Sequence, residues 1–277
     1  MCDLPIKKSL IYTAVSSEMD LSKHQFEPGF FFPKRLSPAW IQENLKRHGE
    51  VYPRQFYVLD ALKLVYLSVP KAACSSIKAA LAKAGGIVVA NNQSVHSHPQ
   101  MRIQEGRLNA AQSGFYKFSF VRNPFERLVS CYREKIMFIP SPEHPKPLYE
   151  YYFFSLPAHI SFAEFAERVA QIPDPLADNH FKSQLALLYS EGELQVDYVG
   201  KMEDLNNEWK RIAEEYQFDP NLVPSNVTKS RQGCHSDYRL YYTEALAKLV
   251  RERYRQDVEV FGYEHDYQRL LEFIRKR

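Results

Sequence analysis

The stretch Leu64-Val65-Tyr66-Leu67-Ser68-Val69-Pro70-Lys71-Ala72-Ala73-Cys74-Ser75-Ser76 changes character twice. Its first half is apolar and partly β-branched, the composition of a buried strand, and Pro70 ends it. From Ser75 onward, Ile77, Ala80, Leu81 and Ala84 recur at helical spacing, and Gly85-Gly86 predicts the helix stop. Between them lies a tight turn, Lys71 to Ser76. A helix N-terminus offers unpaired N–H groups and the positive end of the macrodipole, so it receives phosphate or sulfate. Small side chains at Ala72 and Ala73 let an anion approach the backbone. Ser75 and Ser76 can cap the helix or donate hydroxyls, Lys71 adds a mobile charge, and Lys78 lies one turn further on. A solvated lysine in an ordinary strand-to-helix connection is the competing reading.

Two other chemistries fit this turn poorly. No glycine precedes Lys71 within it and no serine or threonine follows directly, so the nucleotide triphosphatase loop and its magnesium ligand are missing. Cys74 sits where a helix terminus can lower a thiol pKa. A phosphatase loop needs an arginine six residues on, however, where Ala80 stands, so Cys74 reads as a small packed residue.

Outward from the turn, Tyr57 to Asp60 reads as a strand paired with, or preceding, the Leu64 run. Residues 1–50 are polar and broken by Pro28, Pro33 and Pro38, and are expected to form a peripheral arm before one domain over 51–277. At 277 residues and 45% hydrophobic content, the chain can bury a full core. With 36 basic against 33 acidic residues its net charge is +3, too mild for a nucleic-acid-binding face, so any anion preference must be local. Cys2, Cys74, Cys131 and Cys234 form no C-x-x-C pair, which suggests neither a zinc ribbon nor a disulfide framework. Charges interrupt Met1 to Asp20, so no signal core or membrane span is seen there or later, and a cytoplasmic setting is expected.

A second constellation runs from Phe118 to Lys135, FSFVRNPFERLVSCYREK. Phe118 to Val121 reads as a buried strand, Asn123-Pro124 as its exit, and Phe125 to Lys135 as a helix. Arg122 thus falls at the carboxyl end of a strand, where open α/β sheets place ligand contacts, and Ser130 two turns along the helix. A guanidinium fork and a hydroxyl suit a second phosphate, distinct from the one at Lys71. Taken singly, an arginine near a helix start is a surface ion pair, as Arg127 would be with Glu126 or Glu134.

Together the two segments resemble the sulfotransferase family that includes the chondroitin, dermatan and uronyl sulfotransferases. Val69, Pro70, Lys71, Ala73, Cys74, Ser75, Ser76 and Lys78 match its 5′-phosphosulfate loop, and Phe120 to Lys135 its 3′-phosphate segment. The similarity continues at Asn179-His180-Phe181 with Gln184, at Asp197 to Glu203, and from Tyr241 to Tyr263, covering roughly residues 55 to 265. The resemblance implies an α/β, P-loop-like three-layer fold with a central, mainly parallel sheet flanked by helices. It implies the donor 3′-phosphoadenosine 5′-phosphosulfate, no metal, and a hydroxyl acceptor on a carbohydrate or a small molecule. Lys71 and the backbone of Ala72, Ala73, Cys74, Ser75 and Ser76 would face the 5′ side, and Arg122 with Ser130 the 3′-phosphate.

His96 or His98, lying between the two motifs in an H-x-H pair, is the expected general base, against a hydrated loop or a metal pair lacking a third ligand. Met137 to Pro157, rich in proline and aromatics, is expected to form either a lid or a packed connection. His180 and Gln184, placed by their spacing on a helix after Pro175, are expected to touch donor or acceptor, or merely to stabilise that helix. Lys229 and Arg231, in a polar loop resembling a late family segment, are expected near the 3′-phosphate. Thr243 to Tyr263 reads as scaffold, with Lys248, Arg251, Arg253 and Arg255 on a solvated face. Two readings from other classes are a non-catalytic nucleotide-binding protein on the same scaffold and a phosphoryl-transferring P-loop enzyme. The sequence is silent on oligomeric state.

Overall fold

Five strands hydrogen-bond in the order β3-β1-β2-β4-β7, with β1 spanning Gln55–Leu59, β2 Leu64–Leu67, β3 Arg102–Glu105, β4 Tyr116–Val121 and β7 Tyr198–Lys201. The structure is a computed structural model that describes residues 43, 44, 46–88, 95, 102–137, 156, 160–222 and 237–277. β1 and β2 form the expected antiparallel pair, Tyr57 opposite Tyr66, through a turn closed by Lys63 at φ 53°. β2 pairs parallel with β4, and β4 with β7, while β3 runs antiparallel to β1. Four of the five strands therefore point the same way and β1 alone is reversed. A small hairpin, β5 (Tyr189–Ser190) with β6 (Glu193–Leu194), lies outside this sheet.

Both faces of the sheet are apolar, because helices cover both. On one face Leu64 and Tyr66 join Tyr57, Phe118 and Phe120 against Ile77 and Leu81 of α1 (Cys74–Ala84) and Trp209 and Ile212 of α5 (Leu205–Glu215). On the other, Val65, Leu67 and Val121 meet Phe125, Leu128 and Val129 of α2 (Pro124–Lys135), behind which lie α3 (Phe162–Gln171), α6 (Glu244–Arg253), α7 (Arg255–Val260) and α8 (Glu264–Arg275). These alternating side chains make the three layers, helices, sheet and helices, that the sequence predicts. Burying Ile77 and Leu81 contributes about 1.5–3 kcal/mol each. In β7, Gly200 pairs with Phe120, and a Cβ there would come within 2.5 Å of the Phe120 ring, so only glycine lets the aromatic lie flat across the strand.

Local signals set the helix ends. Gly85 closes α1 by donating to Leu81 O at 2.9 Å, and Gly86 follows at φ 70°. Asn123 Oδ1 caps α2 through Phe125 N, with Pro124 in the first position. Ser161 and Thr243 cap α3 and α6 in the same manner. One expected helix is displaced. His180 lies in a turn, because the Asp178 carboxylate takes the His180 N–H, and α4 (Gln184–Leu188) begins only after Ser183 caps it. The basic run after Thr243 is likewise not all solvated: the Arg253 side chain is only 10% exposed and pairs with Asp174.

The segment before β1 is tied to this turn. The fully buried Lys182 ammonium donates to Glu50 Oε2 at 2.6 Å and to Tyr52 O at 2.7 Å, and Val51 N donates to Pro175 O. Among the described residues no helix is long and apolar enough to cross a membrane.

Candidate functional site

The carboxyl ends of the parallel strands β2, β4 and β7 meet at one edge, the position where open α/β sheets bind ligands. The chain leaving β2 turns sharply there. Lys71 at φ 70° and Ala73 at φ 57° both occupy the left-handed region without being glycine. Each costs about 1–2 kcal/mol, strain of the kind that collects at functional sites. Ala72 N closes the turn onto Val69 O, so this amide is used internally. Ala73 is the N-cap and supplies no side-chain acceptor for the first-turn N–H groups. Ser75 and Ser76, expected as possible caps, instead sit buried within the first turn of α1. Cys74 opens the helix, half-buried, as a free thiol. Lys78 is buried, its ammonium 4.2 Å from the Tyr57 ring centroid, so it packs below the turn.

Lys71 is held at both ends by the second motif. Its carbonyl accepts from Arg122 Nη1 at 3.1 Å, and its ammonium pairs with the Glu134 carboxylate, which also holds Lys135 Nζ at 2.8 Å. Burial pushes the Glu134 carboxyl up, but the two ammonium groups prevail and hold it well below the usual carboxylate range.

Arg122 is fixed through its backbone. Gln184 accepts the Arg122 N–H at Oε1 and donates from Nε2 to the Arg122 carbonyl, both at 2.8 Å. Asp257 anchors Gln184 in turn, accepting from the backbone N–H groups of Gln184 and Leu185 at 2.8 Å each. Burial drives the Asp257 carboxyl up to about 6 even against those two hydrogen bonds. The Arg122 guanidinium also pairs with Glu126, while its Nε is buried with no partner among the described residues. Eleven residues along the chain, Arg133 donates from Nε to Tyr241 OH at 3.3 Å and leaves a buried Nη2 equally bare among the described residues. Half-buried Ser130 lies between them on α2. Arg122 stands just ahead of α2 and Arg133 near its end, and each bare nitrogen is a donor suited to an anion.

Residues 54–264 match the Sulfotransferase family. The chain belongs to that family. The chain is 25% identical over 240 residues to carbohydrate sulfotransferase 8 of Homo sapiens, covering 76% of this chain and 55% of that protein. To carbohydrate sulfotransferase 9 of Homo sapiens it is 27% identical over 271 residues, 81% of this chain and 58% of the relative. Carbohydrate sulfotransferase 14 of Mus musculus is 26% identical over 231 residues, with 76% and 60% covered. The chain thus spans less than two thirds of the length of these curated relatives. No solved structure matches it. The P-loop-like fold expected from the two motifs is the fold that the family match and the three layers give.

Other residues of the candidate site follow from the same edge. Arg127 is not the surface ion pair that its neighbours suggest. It is buried, with Nε donating to Pro70 O, Nη1 to Lys182 O and Nη2 to Asn179 O, all within 2.9 Å. It therefore ties the Lys71 turn to the His180 turn. His180 Nδ1 lies 2.6 Å from Asp178 Oδ1, and the ring is 22% exposed. Burial lowers its pKa, Lys135 pushes the same way, and Asp178 and Glu134 oppose. Gln184, expected at a donor or acceptor, is fully buried and uses both ends of its amide on Arg122. Glu203, after β7, accepts Asn123 N at 2.6 Å and so fixes the exit of β4.

His96, His98, Lys229 and Arg231 lie outside the described residues, as does most of Met137 to Pro157. Sequence reasoning gave Arg127, Glu134 and Asp257 no role at the site, reading the first two as a surface ion pair and the third only within the late stretch of similarity. The first two stand inside the 3′-phosphate motif itself, whereas Asp257 sits 73 residues from Gln184 and carries no local signal.

Proposed function

We propose that this chain transfers a sulfuryl group from 3′-phosphoadenosine 5′-phosphosulfate to a hydroxyl on a carbohydrate. The observation that carries the reading is the contact between the motifs. Arg122, whose buried Nε has no partner among the described residues, donates to the carbonyl of Lys71 at the N-terminus of α1. That contact sets the two anion-seeking segments side by side, which supports a ligand carrying two phosphate groups. The names of the relatives support a carbohydrate acceptor.

In this reading the donor supplies an electrophilic sulfur and a phosphate leaving group. Lys71 and the first-turn amides of α1 stabilise charge that grows on the leaving phosphate oxygen as the S–O bond breaks. Arg122 and Ser130 hold the 3′-phosphate, with Lys229 and Arg231 as further contacts, and fix the donor in register for attack from the opposite side. His96 or His98 takes the proton from the acceptor hydroxyl as the new S–O bond forms. His180, oriented by Asp178, is a further contact for the acceptor in this reading. No step requires a metal.

Labelled donor incubated with a panel of carbohydrate acceptors tests this. Lys71→Ala should lower turnover by about 100-fold or more, with a smaller effect on donor affinity. Arg122→Ala should weaken donor binding by roughly 10- to 100-fold. Wild-type activity in both variants would show the site to be elsewhere. Nucleotide binding without sulfation of any acceptor would make the protein a binding module.

A further inference from the structure

The ammonium that the chemistry assigns to an anionic donor is already engaged by an internal anion. Lys71 Nζ pairs with Glu134, and the side-chain exposures differ, 10% for Lys71 against 29% for Glu134. The lysine is nearly enclosed, while the carboxylate still reaches solvent and can leave. Glu134 also keeps a second partner, Lys135 Nζ at 2.8 Å, itself only 7% exposed, so release of Lys71 does not strand a carboxylate without a cation. Glu134 lies on α2, the helix that carries Ser130 and follows Arg122. Whatever binds at the 3′-phosphate position therefore rests on the element that holds Lys71.

From this arrangement we infer that Glu134 is the positioning residue of Lys71: its carboxylate holds the ammonium in place of the donor's phosphosulfate and hands it over when the nucleotide binds. The inference rests on the donor reading of the Lys71 turn and adds to it a built-in competitor. A carboxylate at hydrogen-bond distance from the ammonium repels an arriving anion and must be displaced, so the free site is pre-paired and its lysine pre-placed. Lys71 thus does not have to be recruited from solvent, and only a ligand with enough negative charge can take it.

Calorimetric binding of adenosine 3′,5′-bisphosphate to the full chain tests this without knowledge of the acceptor. Glu134→Gln should bind about 10-fold more tightly than wild type, and Glu134→Asp should return to wild-type affinity. In a Lys71→Ala background the same Glu134→Gln change should give less than about 3-fold, since the competition acts through the lysine. An equal gain in both backgrounds would reduce Glu134 to plain charge repulsion and overturn the inference. A loss of affinity in a Glu134→Gln protein that unfolds at the wild-type temperature would also overturn it, marking a structural support. If wild type binds the nucleotide and Glu134→Gln is unchanged, only this inference fails. If neither wild type nor any variant binds, the donor reading fails with it.

Discussion

Arg127 donates to the carbonyl oxygens of Pro70, Asn179 and Lys182 from three different nitrogens, a pattern that needs the planar fork of a guanidinium. An ammonium at the end of a lysine reaches at most part of it. Arg127→Lys should therefore leave buried carbonyls unpaired and lower the unfolding free energy by about 2–4 kcal/mol, measured by urea denaturation. Gln184 has a different sensitivity. Its amide holds only the backbone of Arg122, so Gln184→Ala should weaken nucleotide binding through a misplaced guanidinium, a loss that calorimetry reads directly. A substrate residue, by contrast, would leave nucleotide affinity untouched and change acceptor use alone.

At the scale of elements, the strand, turn and helix around Lys71 were legible because each has a local cause: an apolar run, a proline stop, a helical repeat and a double glycine. What spacing does not reveal is which residue caps the helix. Serines stood at hand, yet the chain winds through the left-handed region and leaves Ala73 at the N-cap. Backbone strain of this sort is announced by no single-residue preference. Ala73→Gly should relieve it, raising the melting temperature by about 2–4 °C in a thermal scan, whereas Ala73→Val should lower it. The His180 segment shows the opposite case. Its apolar spacing suits a helix, but one carboxylate, Asp178, offers the backbone a competing bond and the helix starts later.

Across the whole molecule, three of the five strands could be read from residue patterns and the layered sheet was implied by the family resemblance, while β3, β7 and the supports of the site were not read, the supports because they join positions far apart in sequence. Asp257 and Gln184 are such a pair. The folded Asp257 carboxyl, pushed up by burial to about 6, binds its proton more tightly than in the unfolded chain. Its contribution to stability is therefore fully present below about pH 4 and is lost as pH rises to about 6, a change on the order of 3 kcal/mol. Asp257→Asn removes this titration. The advantage of wild type over the variant in urea denaturation should accordingly be greatest near pH 4 and shrink toward pH 7.

The link from Glu50 to Lys182 bears on how the protein can be shortened. The family match begins at residue 54, which invites trimming just ahead of it. A fragment cut there would lose the carboxylate at 2.6 Å and the Tyr52 carbonyl at 2.7 Å, leaving a fully enclosed ammonium with neither acceptor. Breaking such a pair costs about 3–5 kcal/mol, comparable to the entire stability of many domains. The smallest autonomous unit thus starts upstream of Glu50, and a shorter one should be recovered aggregated or unfolded unless Lys182 is exchanged for an apolar residue of similar volume.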